Sequence, residues 1–247
     1  MNHSEPHHPL KRPDEIRQAY SKNETAEAYV EERFQSGWGA LLHRAQVAAV
    51  NNVIRQHHVK TVLEIAPGPA RLSAEISGFE RGVLCEYNQS MITVARRRLP
   101  AGSGWRIVRG DGFHVPVQSG RFDLAYTFRF IRHSDPPERT ALYRQIHNAL
   151  KPGGLFVFDA VNVRWRDPGD LPIHDALYTR DGLFQELRDH GFAPLSLTDV
   201  IKHMALQRNL QILVSPRSRR LADRLIGWLE AIPSSSPLEW IVVCRRA

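Results

Sequence analysis

Three short segments carry the residue types that can do chemistry. The first, Glu64-Ile65-Ala66-Pro67-Gly68-Pro69-Ala70, sets a carboxylate ahead of alternating small residues. Small residues at 66, 68 and 70 let a ligand come close to the backbone. The second is Glu86-Tyr87, eighteen residues after Gly68, with a carboxylate that can accept both hydroxyls of a ribose. The third, Gly110-Asp111-Gly112-Phe113, places an acceptor between two glycines and beside an aromatic ring. That acceptor suits an exocyclic amine, and the ring can stack on a purine. Together the three describe a nucleoside pocket of acidic character.

The elements around these segments set where they meet. Residues 14–58 show helical periodicity, broken at Gly37-Trp38-Gly39. The period then changes. Strands are predicted at 61–66, 82–87, 105–109, 122–128 and 155–161. A short helix through Ser77, a helix over 89–99 and a helix from Pro136 to Leu150 lie between them. The last of these has Asp135 as a cap, Pro136 at its first position and Glu138 three residues after the cap. Strands alternating with helices demand a parallel sheet covered on both faces. Beyond a loop at 164–178, a helix runs from Thr179 to Gly191. Strands at 195–203 and 238–244 follow, separated by a helix near 218–230. The expected fold class is therefore α/β. It is a seven-stranded, mostly parallel sheet with helices on both faces, a late antiparallel strand pair and an N-terminal helical cap. Residues 1–13 read as a disordered polar tail. Residues 14–247 read as one domain, with a helical cap (14–58), a cofactor-binding half (60–161) and a substrate-side half (162–247). In such sheets ligands bind beyond the carboxyl ends of the strands, where all three segments fall.

A pyrophosphate would need N–H donors and positive charge at the first turn, and Glu64 repels it. An ammonium or sulfonium group is favoured there, which points to S-adenosylmethionine rather than NAD or ATP. The residues resemble the class I, Rossmann-like, S-adenosylmethionine-dependent methyltransferases, in a small-molecule branch similar to the ubiquinone/menaquinone-biosynthesis methyltransferases. The likeness rests on Glu64, Ala66, Gly68 and Ala70, on Glu86, on Gly110-Asp111-Gly112, and on the runs FDLAYTF and LKPGGLFVFD. Ala66 and Ala70 stand where the family has glycine. The resemblance implies a cofactor site of Glu64, Ala66, Pro67, Gly68, Ala70, Glu86, Tyr87, Met91, Gly110, Asp111, Gly112, Phe113 and Phe128, with no metal. His133 and Asp159 are candidate general bases. Tyr20, Tyr29, Arg33, Arg129 and Arg132 are candidate substrate contacts. Arg129 and Arg132 suit an anionic methyl acceptor.

Composition narrows the alternatives. The 247 residues are 42% hydrophobic and 24% charged, as in an ordinary globular chain. Two cysteines, Cys85 and Cys244, cannot build a disulfide framework or a cysteine-rich zinc site. The net charge of +7 comes almost entirely from scattered arginines, since only five residues are Lys. A nucleic-acid partner is therefore not favoured, because it would need one continuous basic face. No apolar run approaches the roughly 20 residues of a membrane helix, and the first twenty residues hold no apolar targeting core; a cytoplasmic protein, monomer or homodimer, is expected. Asp135-Pro136-Pro137-Glu138 lacks the aromatic of an amino-methylating Asp-Pro-Pro motif and reads as a helix cap. No Tyr-x-x-x-Lys pair and no G-x-G-x-x-G support a dehydrogenase. The basic amphipathic helix near 218–230 is expected to pack on the sheet, with membrane-surface binding the less favoured reading. Methylation of RNA or protein, or a non-catalytic cofactor-binding or assembly role, are the competing functions.

Overall fold

The computed structural model describes Phe34 and residues 37–165, 176–214, 217–234 and 236–247. The expected polar tail and leading helix, with Tyr20, Tyr29 and Arg33, lie outside the described residues.

Period-two alternation decides how the first strand is used. In β1 (Thr61–Ile65), Leu63 and Ile65 point to one face of the sheet and Val62 to the other. The same split recurs in β5 (Leu150–Asn162), where Phe156 and Phe158 join the first face and Leu155 and Val157 the second. Each face is covered by helices. Leu142 and Ile146 of α3 (Pro136–Ala149) and Leu183 and Leu187 of α4 (Arg180–Asp189) pack on the first. Leu42 and Val53 of α1 (Gly37–Gln56) and Ile226 of α6 (Arg219–Ala231) pack on the second.

With β2 (Arg81–Glu86), β3 (Trp105–Arg109), β4 (Phe122–Thr127), β7 (Phe192–Val200) and β8 (Glu239–Arg246), the strand order is β3-β2-β1-β4-β5-β8-β7. Strands β1 to β5 run parallel, and β8 lies antiparallel between β5 and β7. The apolar last strand is inside the sheet, as its composition predicts. The order reverses at β1/β4, so a crevice opens beyond the carboxyl ends of β1 and its neighbours. α2 (Gln89–Arg98) starts beside it, capped by the Asn88 side chain accepting from the Ser90 N–H. Asp135 and Glu138 form the full reciprocal capping box of α3.

Four expectations are corrected. The sheet has eight strands, because β6 (Leu177–Tyr178), within the expected 164–178 loop, pairs with β5. No regular helix follows the first turn. Ala66, Gly68 and Ala70 have φ of 54°, 57° and 55°, and residues 68–75 run as successive turns with isolated helical bonds such as Ala74 N–H to Ala70 O. Left-handed backbone at 66, 68 and 70 cannot seed a right-handed helix. β5 begins at Leu150 rather than 155, and Pro152-Gly153-Gly154 is absorbed where the β4/β5 register shifts. Finally, α5 (Met204–Leu213) precedes α6, and the strand expected at 195–203 occupies 192–200.

Candidate active site

The crevice is built by loops that tie neighbouring strand ends together. Ala66 N–H continues the β1/β2 pairing to Cys85 O, and Gly110 N–H bonds Glu86 O. The Glu86 carboxylate accepts the Gly68 N–H at 2.9 Å and the Asn88 N–H at 2.8 Å. It thereby joins the turn after β1 to the start of α2. Burial raises its pKa and these N–H donors pull the other way. At the end of β3, Asp111 closes a turn by accepting the Phe113 N–H at 3.0 Å.

The glycines here have steric reasons. A Cβ on Gly110 would stand 2.6 Å from Pro116 Cδ and 2.9 Å from Cys85 Sγ. One on Gly112 would meet Phe130 Cε1 at 2.8 Å and Ile65 Cγ2 at 2.9 Å. Gly68, by contrast, faces open space within 4 Å. The resulting cavity has a volume of about 170 Å³, more than tenfold what one water requires.

Twelve of the residues expected at the site line this cavity: Ala66, Gly68, Glu86, Tyr87, Met91, Gly110, Asp111, Gly112, Phe113, Phe128, Arg129 and His133. Cys85, Asn88, Phe130 and Ser134 join them without having been foreseen. Asn88 had a legible signal, a capping residue one position past a strand-end Glu-Tyr. The Phe113 and Phe130 rings lie 5.7 Å apart. Burial, with Glu86 and Asp111 nearby, pushes the Cys85 thiol up to about 12, so it is not a thiolate nucleophile at neutral pH.

Five expected residues lie elsewhere. Glu64 shares its face of β1 with Val62, so it points into the α1 side of the sheet and not into the crevice. It accepts from the Ser73 hydroxyl and, at 2.8 Å, from the Tyr126 hydroxyl. Burial raises its pKa to about 7 against those two bonds. Its role is to anchor the turns at 68–75 from behind. On the same side Arg71 donates to Gln46 Oε1 at 2.7 Å and lies 3.8 Å from the Phe34 ring centre. Ala70 is buried against Leu84 and Ala95, and Pro67 is buried outside the cavity lining. Arg132, expected to reach an acceptor, is fully buried with Nη1 at 2.7 Å from Glu239 Oε1. Asp159, expected as a base, is equally buried. It accepts the Arg129 N–H at 2.7 Å and lies 3.5 Å from Arg132 Nη1. Burial raises its pKa, and the Arg132 charge opposes the rise. Asp159 thus holds Arg129, whose φ is 58°, in a left-handed conformation at the cavity wall. Among the described residues no cluster of three His, Cys, Asp or Glu side chains could hold a metal.

A crevice at the strand-order reversal, with carboxylates at two adjacent strand tips, has a counterpart among known families. Residues 62–154 match the model of a family described as a methyltransferase domain. That segment is therefore similar to a methyltransferase domain, and the chain has the fold of solved class I, Rossmann-like methyltransferases. S-adenosylmethionine is the cofactor of such a domain. Sterol 24-C-methyltransferase of Eremothecium gossypii is 27% identical over 165 residues, 58% of this chain and 43% of that enzyme. The chain therefore spans less than half the length of that relative. Magnesium protoporphyrin IX methyltransferase from Synechocystis PCC 6803, solved with bound SAH, shares the fold with a TM-score of 0.65 at 11% identity, over 95% of this chain and 100% of that one. Burkholderia thailandensis 1,6-didemethyltoxoflavin-N1-methyltransferase, solved with 1,6-didemethyltoxoflavin and S-adenosylhomocysteine, has a TM-score of 0.59 at 17% identity, over 97% and 92% of the two chains.

Proposed function

We propose that this chain catalyses methyl transfer from S-adenosylmethionine to an O, N or C atom of a small molecule. The observation that carries the reading is the pairing of Glu86 and Asp111 at the tips of β2 and β3 on one cavity, with Gly68 open beside them. Glu86 keeps lone pairs for ribose hydroxyls, and Asp111 is placed for the amine of a purine flanked by Phe113. Open approach at Gly68 suits the amino-acid tail. Bound there, the cofactor supplies a methyl group on a sulfonium, which is already a good leaving group.

The chain's own contribution is then positioning and exclusion of water. Phe128 and Phe130 wall the cavity, and Arg129 and His133 stand on the same wall. Arg129 suits an anionic acceptor, and His133 is placed to take a proton where the attacked atom carries one. The names of two similar proteins specify a carbon in one case and a nitrogen in the other. The test incubates the full chain with methyl-labelled cofactor and cell extract, and identifies the labelled product by mass. Label in a low-molecular-weight product is expected. Label confined to RNA or protein, or no transfer, overturns the proposal.

A further inference from the structure

Two helices that contribute no residue to the crevice carry an exposed apolar surface. Of the large apolar side chains left exposed among the described residues, five lie on α5 and α6: Leu206, Ile212, Leu213, Leu221 and Trp228. Leu213 is 62% exposed and Trp228 64%, so these are not rims of the core. The inward stripes of both helices, through Met204, Leu210 and Ile226, enter one and the same hydrophobic cluster. The opposite stripes therefore both face away from that core. On α6, Leu221, Arg224 and Trp228 recur at helical spacing along the outward stripe.

The charge on this surface has one sign. Arg208, Arg217, Arg220 and Arg224 are exposed. The two acidic residues between 202 and 231 are both half-buried, and Glu230 is engaged by the N–H groups of Ile201 and Lys202 and the Gln207 amide. α1, which packs against α6, contains no acidic residue.

We infer that the outward faces of α5 and α6 form a docking surface for a bilayer rich in anionic phospholipid. Apolar side chains seat at the headgroup–acyl boundary, with Trp228 at its preferred depth, while the arginines pair with lipid phosphates. The occupant follows from the combination. A nucleic acid would use the arginines and leave Trp228 and four aliphatic side chains against its phosphates. A second copy placed face to face would set arginine against arginine. Neither helix is long and apolar enough to cross a membrane, so the contact is interfacial. This inference does not depend on the methyl-transfer reading.

The full chain is mixed with vesicles of phosphatidylcholine containing phosphatidylglycerol, or of phosphatidylcholine alone, and separated by flotation. Preferential binding to the anionic vesicles, weakened by salt, is expected. Arg220→Glu with Arg224→Glu lowers that partitioning at least tenfold, from roughly fivefold per removed cation. Trp228→Ser with Leu213→Ser lowers it several-fold with salt sensitivity retained. Far-ultraviolet circular dichroism and unchanged cofactor affinity verify that each variant is folded. Equal flotation with both vesicle types, no flotation, or binding that survives both double variants overturns the inference. So does a wild-type dimer that the Trp228/Leu213 variant alone dissociates, which would assign the face to a second copy.

Discussion

Replacing Glu64 by Gln changes how stability depends on pH. The carboxyl is 3% exposed and takes its hydrogen bonds from Ser73 and Tyr126. Burial lifts its pKa to about 7, from an ordinary carboxylate value of 4.5. The folded chain therefore keeps this proton where the unfolded chain has lost it. The resulting stabilisation is complete below about pH 4.5 and is lost as pH rises through about 7. The displacement corresponds to about 3 kcal/mol across that window. Gln keeps a carbonyl oxygen for the two hydroxyls and cannot ionise, so it imitates the protonated state at every pH. Glu86 and Asp159 are raised as well and His43 is lowered, so the wild-type slope is a sum. The difference between the two proteins isolates Glu64. Urea denaturation at half-unit steps from pH 5 to 8 measures it. The variant is expected to gain about 2–3 kcal/mol on wild type between pH 5 and 8. Parallel pH profiles would show that Glu64 is ionised throughout, and the account of a buried protonated anchor would fall.

Three further outcomes follow from named contacts. Arg132→Ala leaves Asp159 and Glu239 buried without their cation and is expected to cost about 3–5 kcal/mol in a denaturant titration; a loss under 1 kcal/mol would mean that the triad is hydrated. Asp159→Ala removes the acceptor of the Arg129 N–H, so KM for the methyl acceptor should rise with cofactor affinity unchanged, and Asp159→Asn, which keeps a carbonyl acceptor, should restore it; equal loss in both would mean that the charge matters rather than the position. Gly112→Ala forces a methyl to within 2.8 Å of Phe130, and about 1–3 kcal/mol of destabilisation together with weaker cofactor binding is expected; an unchanged melting temperature would contradict the packing at this turn.

The alternation of elements was legible because their signals are local. WRIVR forms β3 at the expected residues, and Asp135-Pro136-Pro137-Glu138 makes its cap within four positions. α5 escaped notice because its cap residue, His203, makes no side-chain capping bond and its first turn holds no acidic residue. Glu64 shows a different failure. Its place in the motif suggested the crevice, while the parity of β1 puts it on the face of Val62, and the second signal was the one to follow. The Arg132–Glu239 pair could not be read at all. Its partners are 107 residues apart, and only the antiparallel insertion of β8 beside β5 brings them together. Apart from Met91 on α2, the crevice residues were legible because they lie at or just beyond the carboxyl ends of parallel strands, where topology fixes the neighbourhood.

The central claim is that Glu86 and Asp111 hold one nucleoside in one cavity. Calorimetric titration of S-adenosylmethionine into the wild-type chain and into Glu86→Ala tests it most directly. The account predicts one site per chain in the wild type. The variant should remain folded and bind at least tenfold more weakly, because a buried acceptor and the tie to Gly68 and Asn88 are both lost. Equal affinity in the two proteins, or no binding to the folded wild type at millimolar cofactor, would contradict it.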